Sequence, residues 1–579
     1  MKPFQTAALA FAGLLGSILC LGAQPAPHPL IFPVPREMIN SGNAFVLDEQ
    51  VTIAIPDQPS SEDIFLARML TDALSDRFGL HLKTERVRTF DSGRRVIVMG
   101  SVKNPLVGAY CGTHAIPVTA GAPGPEGYIL RANESMLLVA GSDDQGAFYG
   151  LQSLRQLIAK ENGGLRIEGV SIRDWPDKPF RGIKLYLPGR QNIPFFKRFV
   201  RDFMALHKYN TLIMEMNASM RLDRHPELNT GWIKFAHDTT YSRRNYPPGA
   251  PHGIEQNSTH HDIADEDILE KEEVADLARW VRQYHIQLIP ELPSFTHSYY
   301  LLSEHKELTE VPGEKWPDTY CPSNPKSYQL LFDVYDEYIE VLKPRMIHAG
   351  HDELFLPVGL CPRCGNKDIG ERYGEDVKKI HDYLAAKGIR MAIWGDMLLE
   401  SVRGKGLQKK VAPDGWQYNA PGGMTPEQVQ RLIPKDILIF NWFWNEDRAE
   451  EHEGRLDDMG FRQIYGNFDP SIKGYELRKK RSTLLGGAPS AWFATSEFGF
   501  GKDLMADFVG CSNTLWSGNV IEPKELSGIV QAMLPEMRVR LRGAPPPSQT
   551  ERAISPVNVE ASFNAGPLLP ALGVDLSGM

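Results

Sequence analysis

Eight times between Gly182 and Trp492 the chain passes through a short apolar run, and few folds accept that rhythm. The runs are Gly182 to Leu187, Thr211 to Met216, Gln287 to Leu292, Met346 to Gly350, Arg390 to Trp394, Ile437 to Asn441, Arg462 to Asn467 and Leu484 to Trp492. Each has strand length and little helical periodicity. Helical patterns fall between them at Phe195 to Leu206, Lys271 to Tyr284, Tyr328 to Leu342, Val377 to Lys387 and Glu446 to Met459. Eight such units over about 310 residues predict an α/β fold, a closed (β/α)8 TIM barrel with its chemistry at the C-terminal strand ends.

Upstream, residues 24–175 mix short strands with helical patterns at Ile64 to Phe78 and Gly146 to Ala159, as in a small α/β accessory domain. Asp174-Trp175-Pro176-Asp177-Lys178-Pro179 separates it from the barrel, since two prolines stop either regular element. The barrel and one docking helix fill 176–543, and a proline-containing tail occupies 544–579. Residues 1–23 read as a signal peptide, with Lys2, an apolar run from Ala7 to Leu21 and a small residue at Ala23. The expectation is therefore export, to the periplasm or the exterior. No later run reaches the ~20 apolar residues of a membrane span.

Export leaves five cysteines, at 111, 321, 361, 364 and 511, an odd number that cannot all pair within the chain. The formal charge is -9, from 72 acidic and 63 basic residues, and no basic run is sustained. Nucleic acid is not an expected partner.

The chemistry is concentrated after the fourth run, where Met346-Ile347-His348-Ala349-Gly350 leads into His351-Asp352-Glu353. Two adjacent carboxylates at a strand end can be held in unequal environments, one ionised and one protonated, as a general acid at neutral pH requires. An Asp-Glu pair also caps helices, so the neighbouring strand ends matter. Those ends carry Trp394, Trp442 and Trp492. A single tryptophan is more often core, but three at corresponding strand ends suit the apolar face of a sugar. Arg181, Glu291 and His297 supply groups that can hold hydroxyls or orient a carboxylic acid, although histidine also serves in packing and capping.

From Leu30 to Trp516 the chain resembles glycoside hydrolase family 20, the β-N-acetylhexosaminidases. The resemblance rests on Asp143-Asp144-Gln145-Gly146, Arg181-Gly182, Leu206 to Asn210, Pro290-Glu291 with His297, Cys321-Pro322-Ser323-Asn324-Pro325, His348 to Glu353, Trp394-Gly395-Asp396 and Leu485 to Trp492, all in family order. It implies Glu353 as general acid/base and Asp352 as the carboxylate orienting the substrate's acetamido group. It further implies Arg181 on the outer hydroxyls, His297 beside the acid, Trp394, Trp442 and Trp492 as walls, and Tyr465 on the acetamido oxygen. The implied reaction is exo-hydrolysis of terminal β-linked N-acetylglucosamine or N-acetylgalactosamine, with retention and no required cofactor. The implied partners are glycans or oligosaccharides ending in those sugars.

Several positions depart from the family pattern. His351 replaces a glycine, Tyr186 an aspartate, Asn217-Ala218-Ser219-Met220 an acidic turn, and Ala494 a glutamate that Glu497 or Asn519 would have to supply. A noncatalytic glycan-binding descendant is the alternative these changes raise. A barrel oxidoreductase or metal hydrolase has less support, since no dinucleotide fingerprint occurs and adjacent acids are not by themselves a metal site.

Cys361-Pro362-Arg363-Cys364 has the two-residue gap of a tetrahedral zinc site, or equally of a disulfide or a redox pair. With His351 ten residues upstream, the expected metal ligands are His351, Cys361 and Cys364, completed by His297, Cys321 or an acid of a neighbouring loop. Such an ion would shape the pocket rather than activate water.

Overall fold

In β4 (Val96–Ser101) and β6 (Met136–Gly141) every residue is buried, as befits central strands of a sheet covered on both faces. The computed structural model describes residues 31–90, 93–161, 163–240, 268–313, 317–354, 356–357, 359–365, 367–411, 415–497 and 499–542. The expected signal peptide and tail, together with residues 241–267, lie outside these residues.

The accessory sheet also contains β1 (Glu37–Leu47), β2 (Thr52–Pro56), β3 (Lys83–Val87), β5 (Tyr128–Ala132), β7 (Ala159–Glu161) and β8 (Gly164–Asp174). Its order is β1-β8-β5-β6-β4-β2-β3, with β7 beside β8. Helices Ser61–Phe78 and Asp144–Leu157 pack on it, as does Pro105–Thr113. The first is started by a reciprocal Ser60–Asp63 capping box and stopped by Gly79 at φ +67°. Leu137, Val139 and Phe148 belong to an apolar core that continues into the helix layer of the barrel. Val98, Val107 and Leu138 form a separate smaller core.

The barrel strands are β9 (Phe180–Tyr186), β10 (Thr211–Glu215), β11 (Gln287–Ser294), β12 (Met346–Gly350), β13 (Arg390–Trp394), β16 (Leu438–Asn441), β17 (Arg462–Gly466) and β18 (Leu484–Ala488). They close in sequence order, all parallel, with β18 returning to β9. An antiparallel hairpin, β14 (Leu407–Val411) and β15 (Gln417–Pro421), interrupts the series after β13. β18 stops four residues before the expected Trp492, because Pro489 cannot donate to the ladder. Trp492 is thereby released from the strand into the mouth. Inward-facing Ile213, Ile289, Met346, Ala392, Phe440 and Ile464 fill the interior. Above them the register sets Glu215 level with both Tyr186 and Glu291, and Glu291 level with His348.

The accessory domain covers the barrel end opposite that mouth. Asp174, fully buried at the end of β8, accepts from Tyr128 Oη at 2.8 Å, Lys208 Nζ at 2.9 Å and Trp516 Nε1 at 2.8 Å. Helix Pro523–Arg542 then docks on the barrel through Leu526, Val530, Met537 and Leu541.

Candidate active site

β12 ends in a turn of left-handed backbone, with φ of +69° at Gly350, +73° at His351 and +57° at Glu353. Only glycine adopts this region without cost, so the surroundings must hold the other two. His351 is fixed by its ring, with Nδ1 2.9 Å from Ala349 O and Nε2 2.9 Å from Asp376 Oδ2. Asp376 also accepts from Tyr320 and Tyr328. Glu353 is fixed by its backbone N–H, which donates to Asp396 Oδ2 at 3.1 Å. Arg403 Nε lies 2.5 Å from the same oxygen, and Trp442 Nε1 lies 3.4 Å from the other.

This turn brings both acids to one histidine. His297 Nε2 is 3.7 Å from Asp352 Oδ2 and 3.5 Å from Glu353 Oε2, while Nδ1 is 3.4 Å from Asp318 Oδ1 behind it. Burial disfavours charge on His297, but Asp352 and Asp318 outweigh it and hold the imidazole protonated well above the ordinary histidine value. Asp318 is buried too, and the His297 charge with its hydrogen bonds keeps it below the usual carboxylate range. Asp352 is pushed well above that range, by burial first; His297 opposes the shift, while Glu353, Asp396 and Glu291 add to it. Among the described residues, Asp352 Oδ1 is buried with no hydrogen-bond partner.

Below the acids lies a charged floor. Lys184 Nζ is 2.6 Å from Glu215 and 3.3 Å from Glu291, all three at most 1% exposed. Burial raises Glu291 to about 7; Lys184 pulls it down and Glu215 pushes it up. Trp394, buried, donates to Glu291 Oε1 at 2.9 Å and forms part of this floor. Half-buried Trp492 donates to Asn467 at 3.1 Å and lies over Lys184 Nζ at 3.8 Å, and half-buried Trp442 stands beside Asp396 on the far side. The Trp394 and Trp492 rings lie 6.4 Å apart between centroids, tilted by 36°.

Two expected site residues lie elsewhere, and a third has another role. Arg181 occupies the N-terminal end of β9 on an outward pleat, where its guanidinium meets Glu126 of the accessory domain and the carbonyls of Lys208 and Lys178. It is at the wrong end of the barrel to touch a sugar. Tyr465 follows inward-facing Ile464, so strand alternation turns it outward against Phe468 and Trp444. His351 is not a metal ligand here, because both ring nitrogens are spent on Ala349 and Asp376. Cys361 and Cys364 do meet, but with Cys321 and Glu310. Neither substitute proposed for Ala494 is placed for that role, as Glu497 pairs with Arg542 and Asn519 follows Gly518, which abuts Asp177 at the domain boundary.

Lys184, Asp318, Asp376 and Arg403 were not legible as site residues. Their signal is distributed over contacts 7 to 107 residues away in sequence, from Arg403–Asp396 to Lys184–Glu291, which no local motif encodes. Asp396 was visible only within Trp394-Gly395-Asp396.

Residues 28–175 match the family description "Glycosyl hydrolase family 20, domain 2", and 179–498 match "Glycosyl hydrolase family 20, catalytic domain". A β-hexosaminidase of Porphyromonas gingivalis is 24% identical over 398 residues, covering 64% of this chain and 45% of its own. A lacto-N-biosidase of Bifidobacterium bifidum is 24% identical over 396 residues, covering 65% and 31%. The match thus spans less than half the length of either relative. Among solved structures, a β-N-acetylhexosaminidase of Bacteroides fragilis aligns with a TM-score of 0.61 at 18% identity, covering 88% of this chain and 96% of its own. A Streptomyces plicatus N-acetyl-β-hexosaminidase aligns with a TM-score of 0.60 at 16% identity, covering 90% and 97%. With both family domains matched in order along the same accessory sheet and barrel, the chain belongs to glycosyl hydrolase family 20.

Proposed function

We propose that the protein is an exo-acting β-N-acetylhexosaminidase that removes terminal β-linked N-acetylglucosamine or N-acetylgalactosamine from glycans. The observation that carries this reading is the buried Asp352 Oδ1, which lacks a protein partner beside Glu353. A buried acceptor without a donor costs about 1–3 kcal/mol, so a ligand that brings an N–H there is favoured. The 2-acetamido N–H of the substrate is such a donor.

With its N–H on Asp352, the acetamido carbonyl oxygen is turned toward its own anomeric carbon. Glu353 protonates the leaving oxygen as that carbonyl attacks, and an oxazolinium forms with Asp352 balancing the charge on its nitrogen. Glu353 then takes a proton from water, which opens the ring and restores the original anomeric configuration. Protonated His297 opposes the burial that raises the Asp352 carboxyl and so lowers the cost of its anion. Trp394, Trp442 and Trp492 offer the walls against which the sugar ring packs. Terminal specificity fits a pocket floored by Lys184, Glu215 and Glu291.

Residues 1–23 support export as the setting for this reaction. Among the described residues no helix is long and apolar enough to cross a membrane. The test is a pair of aryl β-glycosides differing only at C2. The acetamido substrate should turn over without added cofactor, and its 2-hydroxy counterpart should be almost inert. Comparable hydrolysis of both would sink the acetamido route, and binding without turnover would favour a glycan-binding descendant.

A further inference from the structure

Three buried cysteines that the hydrolytic chemistry does not use converge where the loops after β11 and β12 meet. Sγ of Cys321 lies 3.4 Å from Sγ of both Cys361 and Cys364, and Glu310 Oε2 lies 3.0 Å from Cys364 Sγ. One ligand atom from each of the four residues falls within 4.8 Å of all the others. None of the three thiols is in a disulfide.

The four come from two loops. Glu310 and Cys321 flank the antiparallel bridge Thr309–Tyr320 in the loop after β11. Cys361 and Cys364 belong to the loop after β12, in the turn Cys361-Pro362-Arg363-Cys364-Gly365. Gly365 closes it at φ +54° and donates to Cys361 O at 2.9 Å.

The spacing suits an ion. Sulfurs about 2.3 Å from a tetrahedral zinc stand about 3.8 Å apart, a small expansion of the observed contacts. A disulfide would instead draw two sulfurs to about 2.0 Å and strand the third thiol against a carboxylate. Thiolate-rich tetrahedral sets select zinc over the oxygen-seeking cations. Arg372 Nη1, which donates to Glu310 Oε1 at 3.0 Å, orients that carboxylate and offsets the excess negative charge.

We propose that Glu310, Cys321, Cys361 and Cys364 bind one structural Zn2+ that staples the β11 loop to the β12 loop. Binding expels the three thiol protons, and four protein ligands leave no position for water. The staple acts on the acids from both sides. On one loop Cys321 follows Asp318, the partner of His297; on the other, Cys361 follows Glu353. The ion therefore fixes the separation of the two segments whose side chains meet at His297.

The test uses full-length protein purified without a histidine tag. Elemental analysis should find about one zinc per chain, and Co2+ alone, added after zinc removal, should give thiolate-to-cobalt charge transfer with the visible bands of tetrahedral cobalt. Cys361→Ser should lose the ion. Because that variant can also fail to fold, Glu310→Gln provides the second arm: it keeps three thiolates and should yield its zinc to a chelator faster than wild type. Less than roughly a tenth of an equivalent of zinc in wild type, even after incubation with Zn2+ alone, would overturn the proposal. So would a full equivalent in folded Cys361→Ser. Metal content is read without turnover, so this result and the hydrolytic reading fail separately.

Discussion

The backbone N–H of Glu353 donates to the Asp396 carboxylate at 3.1 Å, so the end of one barrel strand holds the main chain of the acid at the end of the next. Arg403 shares the same oxygen and restrains it. Asp396→Ala should lower kcat by about 100-fold, the usual consequence of displacing a reacting group by an ångström, with KM nearly unchanged. Steady-state kinetics on an aryl substrate checks this, and an unaltered kcat would show that Glu353 needs no such anchor.

Glu353→Gln should harm poor leaving groups far more than activated aryl ones, since only the former depend on protonation. Equal losses on both would remove Glu353 from the role of acid.

The acid limb of the pH profile should belong to Asp352. Its carboxyl is raised by burial, so activity that needs the anion disappears as pH falls through that raised value, higher than for an exposed aspartate. His297 opposes the shift, and His297→Gln should therefore move the acid limb of kcat/KM to higher pH. A limb that stays in place or moves lower would mean that His297 does not hold the Asp352 charge.

His351 stabilises a turn at φ +73° through two buried hydrogen bonds. His351→Ala loses those bonds and keeps the backbone cost, for an expected destabilisation of about 2–4 kcal/mol. His351→Gly should cost less, because glycine accepts that φ freely. Urea unfolding of the two variants decides the point, and equal midpoints would contradict the strain account.

How much of this was legible beforehand depends on whether the signal is local. The eight strands were, because burial on both faces writes unbroken apolar runs such as Met346–Gly350. The acids were legible for the same reason, as they follow such a run directly. Arg181 misled because a motif names a residue without its facing, and one pleat decides whether a side chain enters the barrel or leaves it. Tyr465 failed identically. His351 misled because its spacing to Cys361 carried no record of Asp376, 25 residues further on, which claims the ring. Cys321 entered only as one of several ligand candidates, and its pairing with Cys361 and Cys364 depends on loop closure in three dimensions.

Arg181→Met should lower stability by roughly 3 kcal/mol, since Glu126 would keep a charge without its counterion. KM should not change. Thermal unfolding and kinetics together test both halves, and a large rise in KM with normal stability would return Arg181 to the sugar.

The proline-rich stretch from Asp174 to Pro179 is easy to see and an unwise place to cut. Asp174 supplies the negative charge opposite Lys208, and Glu126 the one opposite Arg181, yet both cations belong to the barrel. A fragment beginning at Pro179 would bare one ammonium and one guanidinium group on its underside, and it should precipitate or recruit a chaperone. Sequence divergence in one half is therefore tethered to the other: these two cation–anion pairs must be inherited or exchanged together, whatever happens at the sugar-binding mouth.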